Sequence, residues 1–276
     1  MDTPASLGII AGKGAYPLQL AASARAQGVS RLFAVAFRKE TDPSIAQLVD
    51  EVVWLRVGQL QAMLDAFRAS GVKDAVMAGQ ITPSNLFRLR PDKATIEMLA
   101  QMKERNAHTI FGAIAARLEG VGVTLRPAHL FMETSMPEPG LLSRRAPTEQ
   151  EQADIELGLR VAHATSGLDI GQTVVIKQGA VLAVEAFEGT DAAIRRAGKL
   201  GGAGSVVVKM AKRGHDMRFD IPVVGPKTFR YLRKARVSAL AVEAGRTILL
   251  EREKLIEEAN RLQMAFTAFT GSEENE

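Results

Sequence analysis

The feature that most constrains this chain is a change of period, repeated through its first half. "SLGIIAG" (6–12), "RLFAVAF" (31–37), "EVVWLRV" (51–57) and "DAVMAG" (74–79) are short apolar runs of strand length. Among them, "PLQLAASARAQG" (17–28) opens on proline and stops on glycine, as helices do. "GQLQAMLDAFRASG" (58–71) carries a helical apolar period and ends at Gly71. Two more helices are expected around 92–105 and 107–119, then a strand at 122–126. Strands alternating with helices predict a parallel sheet with helices on both faces.

The segment "METSMPEPGLLSRRAPTEQEQ" (132–152) breaks the pattern with three prolines and little periodicity, and reads as a linker or a long crossing loop. Beyond it, "QTVVIKQGAVLAVEA" (172–186) reads as a hairpin turning at Gln178–Gly179. A helix is expected over 189–200, with Thr190 as its N-cap and Asp191 in its first turn. A buried strand (205–211), a basic helix (227–236), two strands over 237–251 and a closing helix (251–268) complete the reading. The expected fold is α/β, with two α/β domains. Residues 1–131 form a Rossmann-like parallel sheet, 132–152 a linker, and 153–276 a smaller mixed sheet with helices.

Composition narrows the function classes. The absence of cysteine removes disulfide frameworks and thiolate zinc sites and suits a reducing cytoplasm. No apolar run is long enough to span a bilayer, and the N-terminus lacks the basic and apolar stretches of a secretory signal. A formal charge of +4 is a mild bias toward anions such as phosphates, nucleotides or acidic lipid. The basic residues are dispersed and aromatics are only 5%, which argues against a nucleic-acid platform.

Four stretches could carry chemistry. In "AGKGAYP" (11–17), Gly12 and Gly14 would let backbone amides approach a phosphate, with Lys13 between them and a helix N-terminus behind. The dinucleotide fingerprint fails, because Pro17 occupies its third glycine position and Arg38–Lys39 stands where a ribose-binding acid is expected. In "AGQITPSN" (78–85), Gln80, Thr82, Ser84 and Asn85 offer neutral hydrogen bonds suited to a sugar or a uracil. Lys177 and Lys209 end apolar strands, where a lysine is costly unless paired, and Glu185 and Asp191 follow nearby. In "KRGHDMRFDIPVVGP" (212–226), Asp216 and Asp220 lie among Lys212, Arg213, His215 and Arg218. Paired carboxylates can hold a divalent cation or activate a water, while cations nearby neutralise phosphate oxygens. The plainer reading is a solvated loop with Asp216–Arg218 and Arg218–Asp220 ion pairs.

The blocks "LGIIAGKGAYP" (7–17), "GQITP" (79–83), "DIGQTVVIKQGAVLAVEAFEGTDAAIRR" (169–196) and "VVVKMAKRGHDMRFDIPVVGPKT" (206–228) resemble the UDP-2,3-diacylglucosamine pyrophosphatases of lipid A biosynthesis, in their non-metallophosphoesterase form. One departure is visible: His215 stands where that pattern has glutamine before the first aspartate. The resemblance implies hydrolysis of the substrate pyrophosphate to UMP and 2,3-diacylglucosamine 1-phosphate (lipid X). It also implies Mg²⁺ as cofactor and two domains that hold the substrate between them. On that reading Asp220 is the essential carboxylate and Asp216 its partner, while Lys177 and Lys209 stabilise the pyrophosphate. Asp216, Asp220, Glu185 and Asp191 are the candidate metal ligands. Gly12, Lys13, Gly14, Gln80, Thr82, Thr190, Arg218 and Thr228 are the candidate substrate contacts. The expected partners are an acylated UDP-sugar and, peripherally, the cytoplasmic face of the inner membrane, with a homodimer left open. A non-catalytic sugar-nucleotide or lipid-phosphate binding module is the alternative from another class, and a nucleotide-dependent oxidoreductase is a third.

Overall fold

The computed structural model describes residues 3–81, 91–104, 107–168, 170–212 and 216–271, with backbone alone at 107 and 108. By contacts the chain forms two units. One is Met1–Met132 with Asp216–Asp220, the other Glu133–His215 with Ile221–Glu276.

In the first unit the order is β1 (Ser6–Ala11), α1 (Tyr16–Ala26), β2 (Arg31–Phe37), β3 (Glu51–Leu55), α2 (Leu60–Ser70), β4 (Asp74–Ala78), α3 (Lys93–Ala100), α4 (Ala107–Gly120) and β5 (Thr124–Leu125). The sheet runs β3-β2-β1-β4-β5 and every pairing is parallel, as the alternation of periods predicts. β1 and β2 are buried almost throughout because helices cover them. Phe33 of β2 meets Phe67 of α2 edge to face at 5.3 Å, and Met98 and Leu118 of α3 and α4 extend the same core. The chain builds outward from β1 to β3 and returns on the other side of β1 with β4. The topological switch point therefore lies between β1 and β4, where open sheets of this kind bind ligands.

The second unit contains β6 (Gly140–Leu141), α5 (Glu149–Ser166), β7 (Thr173–Lys177), β8 (Ala180–Val184), α6 (Thr190–Gly201), β9 (Val206–Lys209), β10 (Val223–Val224), α7 (Pro226–Ala235), β11 (Ala239–Glu243), β12 (Ile248–Leu249), α8 (Arg252–Arg261) and β13 (Ala265–Phe269). Its main sheet is mixed, as expected, and has six strands in the order β6-β13-β11-β9-β7-β8. The pairs β13/β11 and β11/β9 are parallel, and β6/β13, β9/β7 and β7/β8 antiparallel. Alternation along the strands sorts two cores. Val206, Val208, Ala239 and Ala241 join Ile155 of α5, whereas Val207, Leu240 and Val242 join Ile194, Phe229 and Leu255 of α6, α7 and α8.

Three local expectations need correction. The closing helix stops at Arg261, and "AFTAF" (265–269) is a strand parallel to β11, buried on that partner rather than on a helix face. Thr190 is not the cap of α6. Gly189, at φ 82, takes that place with no side-chain cap hydrogen bond, and Thr190 is the first helical residue. The stretch expected as a linker holds the strand β6 and, from Glu149, the start of α5, opened by a Thr148–Glu151 capping box. The hairpin turn at Gln178–Gly179 is present, both residues at positive φ (50° and 77°), as a tight turn between twisted strands requires.

Candidate active site

In the first unit the glycine loop and the loop after β4 are fastened back to back at the switch point. The Gly12 amide donates to Ala78 O at 2.8 Å, Lys13 N to Gln80 O at 2.7 Å, and Gln80 N to Lys13 O at 3.2 Å. A Cβ on Gly12 would lie 2.7 Å from Gln80 O, and one on Gly79 would lie 2.7 Å from Lys13 O. Both glycines are therefore there so that two backbones can touch. The amides of Gly12 and Lys13 are consumed by this pairing, so any phosphate contact would fall to Gly14 and the first turn of α1. That helix carries no side-chain cap, and Gly14, at φ +98, has open space where a side chain would be.

The aspartate segment belongs to this same unit. Asp216 grips Arg218 in a two-pronged pair, Oδ1 from Nε at 2.9 Å and Oδ2 from Nη2 at 2.7 Å, and also accepts from the Arg218 amide at 3.0 Å. Hydrogen bonding to Asp216 raises the Arg218 pKa above its ordinary value against the pull of burial, and the charges of Asp216 and Glu119 add to it. The Phe219 ring packs on Phe111 at 5.8 Å. One residue joins the two segments: the Tyr16 hydroxyl donates to Ala128 O, and Ala128 N donates to Met217 O at 2.6 Å. Gly12, Lys13, Gly14, Gln80, Asp216, Arg218 and Asp220 are thus assembled in one unit, although more than 130 residues separate the first group from the last. The Asp216–Arg218 pair of the plainer sequence reading is present too. Thr82, Ser84, Asn85, Arg213 and His215 lie outside the described residues.

The second unit holds the lysine cluster. On β9, Lys209 shares the side of the sheet that Val207 turns toward α6. It is 5% exposed, and its Nζ donates to Thr190 Oγ1 at 2.9 Å and Thr173 Oγ1 at 3.4 Å. Thr190 in turn donates to Glu185 Oε1 at 2.9 Å. Asp191, next in α6, pairs with Lys227 at 2.7 Å, and hydrogen bonding to Asp191 raises the Lys227 pKa. That pair ties the first turn of α6 to the first turn of α7, where Thr228 follows, half-buried. Two helix N-termini and the Lys209 ammonium thus lie at this end of the sheet, beside the Glu185 and Asp191 carboxylates.

Lys177 is not part of that cluster. β7 runs antiparallel to β9, so Thr173 and not Lys177 lies beside Lys209. Lys177 Nζ instead donates to Gly201 O at 2.6 Å, at the last turn of α6. The twelve residues of α6 hold the two lysines roughly 17 Å apart, too far to share one pyrophosphate. Lys177 does what a cation does at a helix C-terminus: it satisfies a terminal carbonyl and complements the dipole.

A hard divalent cation such as Mg²⁺ needs oxygen ligands, of which one or two carboxylates suffice beside waters and phosphate oxygens. Among the described residues, no three acidic or histidine side chains converge as a ligand set. Asp216 is engaged by Arg218 and Asp191 by Lys227. Glu185 differs: its Oε2 is buried without a hydrogen-bond partner among the described residues, 4.0 Å from Lys209 Nζ. That orphaned oxygen fits a single carboxylate ligand.

Sequence models of two domains match the chain, the LpxI N-terminal domain over residues 6–135 and the LpxI C-terminal domain over 138–267. A relative from Caulobacter vibrioides (strain ATCC 19089 / CIP 103742 / CB 15), named UDP-2,3-diacylglucosamine pyrophosphatase LpxI, is 33% identical over 269 residues, covering 93% of this chain and 94% of the relative. Among solved structures, the biotin carboxylase domain of the Hydrogenobacter thermophilus 2-oxoglutarate carboxylase is 14% identical with a TM-score of 0.28, covering 71% of this chain and 42% of that one. The biotin carboxylase subunit of pyruvate carboxylase is 12% identical at 0.27, covering 66% and 38%. The chain spans less than half the length of either, and likenesses this slight bear no argument. The two domain matches together span nearly the whole sequence, and the chain belongs to the LpxI family.

Proposed function

We propose that this protein hydrolyses the pyrophosphate of UDP-2,3-diacylglucosamine, releasing UMP and 2,3-diacylglucosamine 1-phosphate in lipid A biosynthesis. The observation that carries the reading is the near full-length match to a relative named for that pyrophosphatase activity. Water adds to one phosphorus, the bridging P–O bond breaks, and the two phosphate products leave. Asp220 orients that water or takes its proton. Asp216 keeps the Arg218 guanidinium in one orientation, so that its charge is pre-positioned rather than reorganised during the reaction. Lys209, held mainly by hydroxyls and only loosely by a carboxylate, would set its amine against phosphate oxygens. The uncapped first turn of α1 offers amides to the same kind of group. Mg²⁺, held by Glu185 and the substrate, would neutralise pyrophosphate charge.

Among the described residues no helix is long and apolar enough to cross a membrane. Together with a substrate bearing two acyl chains, this supports peripheral work at the cytoplasmic face of the inner membrane. The test is incubation of the pure protein with UDP-2,3-diacylglucosamine and Mg²⁺, followed by detection of UMP, with a chelator arm that stops release and a Mg²⁺ arm that restores it. Substrate binding without UMP would make the protein a non-catalytic module and overturn the proposal.

A further inference from the structure

The chain leaves the second unit before Asp216 and rejoins it at Ile221. Both stems of that excursion lie in the second unit, and one short segment, residues 243–250, holds them both. On the returning stem the hold is backbone. Ile248 N donates to Pro222 O and Leu250 N to Val224 O, each at 2.9 Å, with β10 and β12 in parallel register. On the outgoing stem it is a side chain. The ladder between β9 and β11 ends at Lys209↔Val242, and two residues beyond it the Ala211 amide donates to Glu243 Oε2 at 2.7 Å.

Glu243 is an unusual choice for that place. It is the last residue of β11 and only 2% exposed, so its carboxylate has lost nearly all its water. It receives one amide hydrogen bond and a loose ion pair with Arg246, Nε to Oε1 at 3.7 Å. A buried charge with so few partners is a poor way to gain stability. Room is made for it even so: a Cβ on Gly271 would lie 2.4 Å from Glu243 Oε1. What the carboxylate does supply is a fixed direction for the chain at Ala211, one residue past Met210, whose amide still donates to Gln172 O at 3.0 Å.

We infer that Glu243 is a positioning residue for the reaction proposed above, on which its catalytic consequence rests. By holding Ala211 it fixes the exit of β9 and, with it, Lys209 two residues upstream.

Glu243→Gln keeps an acceptor for the Ala211 amide, and its kcat is expected within about threefold of the parent. Glu243→Ala leaves the amide unpaired and is expected to lower kcat by about 10–100-fold, the effect usual for groups that orient a catalytic residue, with little change in KM. Hydrogen exchange at Ala211 is expected to be at least about tenfold faster in the alanine variant than in the glutamine variant. Parental turnover in Glu243→Ala, or a glutamine variant as impaired as the alanine one, overturns the inference. Where Glu243→Ala does not fold, Glu243→Asp, shorter by one methylene, takes its place with the same expected loss and the same overturning result. If the unaltered protein releases no UMP, the proposed function falls, while the exchange comparison still decides whether Glu243 holds Ala211.

Discussion

At the scale of single residues, the register between strands decides which charges act together. Lys177 and Lys209 look equivalent in the sequence, each closing a valine-rich run. The antiparallel pairing of β7 with β9 sends one to the C-terminal end of α6 and the other to its N-terminal end. Nothing in local composition encodes that pairing, so the sequence reading grouped them. The same holds for Thr190, which looks like a cap yet spends its hydroxyl between Glu185 and Lys209 because Gly189 already supplies the entry geometry. A guanidinium occupies both oxygens of Asp216, which suits it to hold Arg218 in place. Asp220 is the carboxylate that the family resemblance makes essential. Asp220→Ala should lose at least about a hundredfold in kcat, within the range a positioned acid, base or ligand contributes, while melting near the parent temperature. Turnover close to the parent would remove Asp220 from the mechanism.

At the scale of elements, the legible parts were those whose pattern is local. The parallel sheet of the first unit, its helices and the Gln178–Gly179 hairpin follow from period and turn residues alone. β13 was hidden because "AFTAF" takes its identity from a distant partner, β11, and follows α8 after only three residues. The start of α5 did carry a signal, Thr148 followed three residues later by Glu151, overlooked beside the prolines. That capping box has a measurable consequence. Burial pushes the Glu151 carboxyl up, but hydrogen bonds from Arg145 and the Thr148 amide, with the Arg145 charge, outweigh it and bring the pKa from 4.5 down to about 2. A group depressed in the folded state stabilises above its unfolded value and loses that contribution as pH falls through 4.5 toward 2. About 3 kcal/mol should disappear over that window, and Glu151→Gln should flatten the acid limb of unfolding free energy against pH. An equally steep limb in the variant would count against this origin. The β1–β4 junction gives a second expectation. Gly12→Ala places a methyl 2.7 Å from a backbone carbonyl that cannot swing away, so the Lys13–Gln80 pairing must open. A loss of about 1–3 kcal/mol in stability is expected, with a raised KM for the UDP-sugar. Unchanged stability and KM would show that the two loops are not coupled.

At the scale of the whole molecule, the question is how a chain with no membrane-crossing helix among its described residues meets a substrate carrying two acyl chains. The helix at 227–236 is α7 and its C-cap, and its sequence sets five basic residues beside Phe229, Tyr231 and Leu232, a composition that suits an anionic lipid surface. Its apolar side is spent: Phe229 and Leu232 are buried in the core of the second unit, and Tyr231 packs against that core. No aromatic or leucine of this helix can enter a bilayer without unfolding it, which leaves only charge. Of the five basic residues, Lys227 answers Asp191 and Arg233 reaches Glu258 at 3.7 Å, while Arg230, Lys234 and Arg236 are exposed. Attraction of that kind adds about 1 kcal/mol per basic residue near an anionic surface and fades within a Debye length. With a net charge of only +4, association should be weak and wholly salt-sensitive. Flotation with anionic vesicles is expected at about 0.05 M salt and absent at about 0.5 M, and Arg230→Glu with Lys234→Glu should abolish it at the lower salt. Flotation that survives high salt would show an apolar anchor elsewhere on the molecule. None at low salt would mean that the acylated substrate must leave the bilayer to be cleaved.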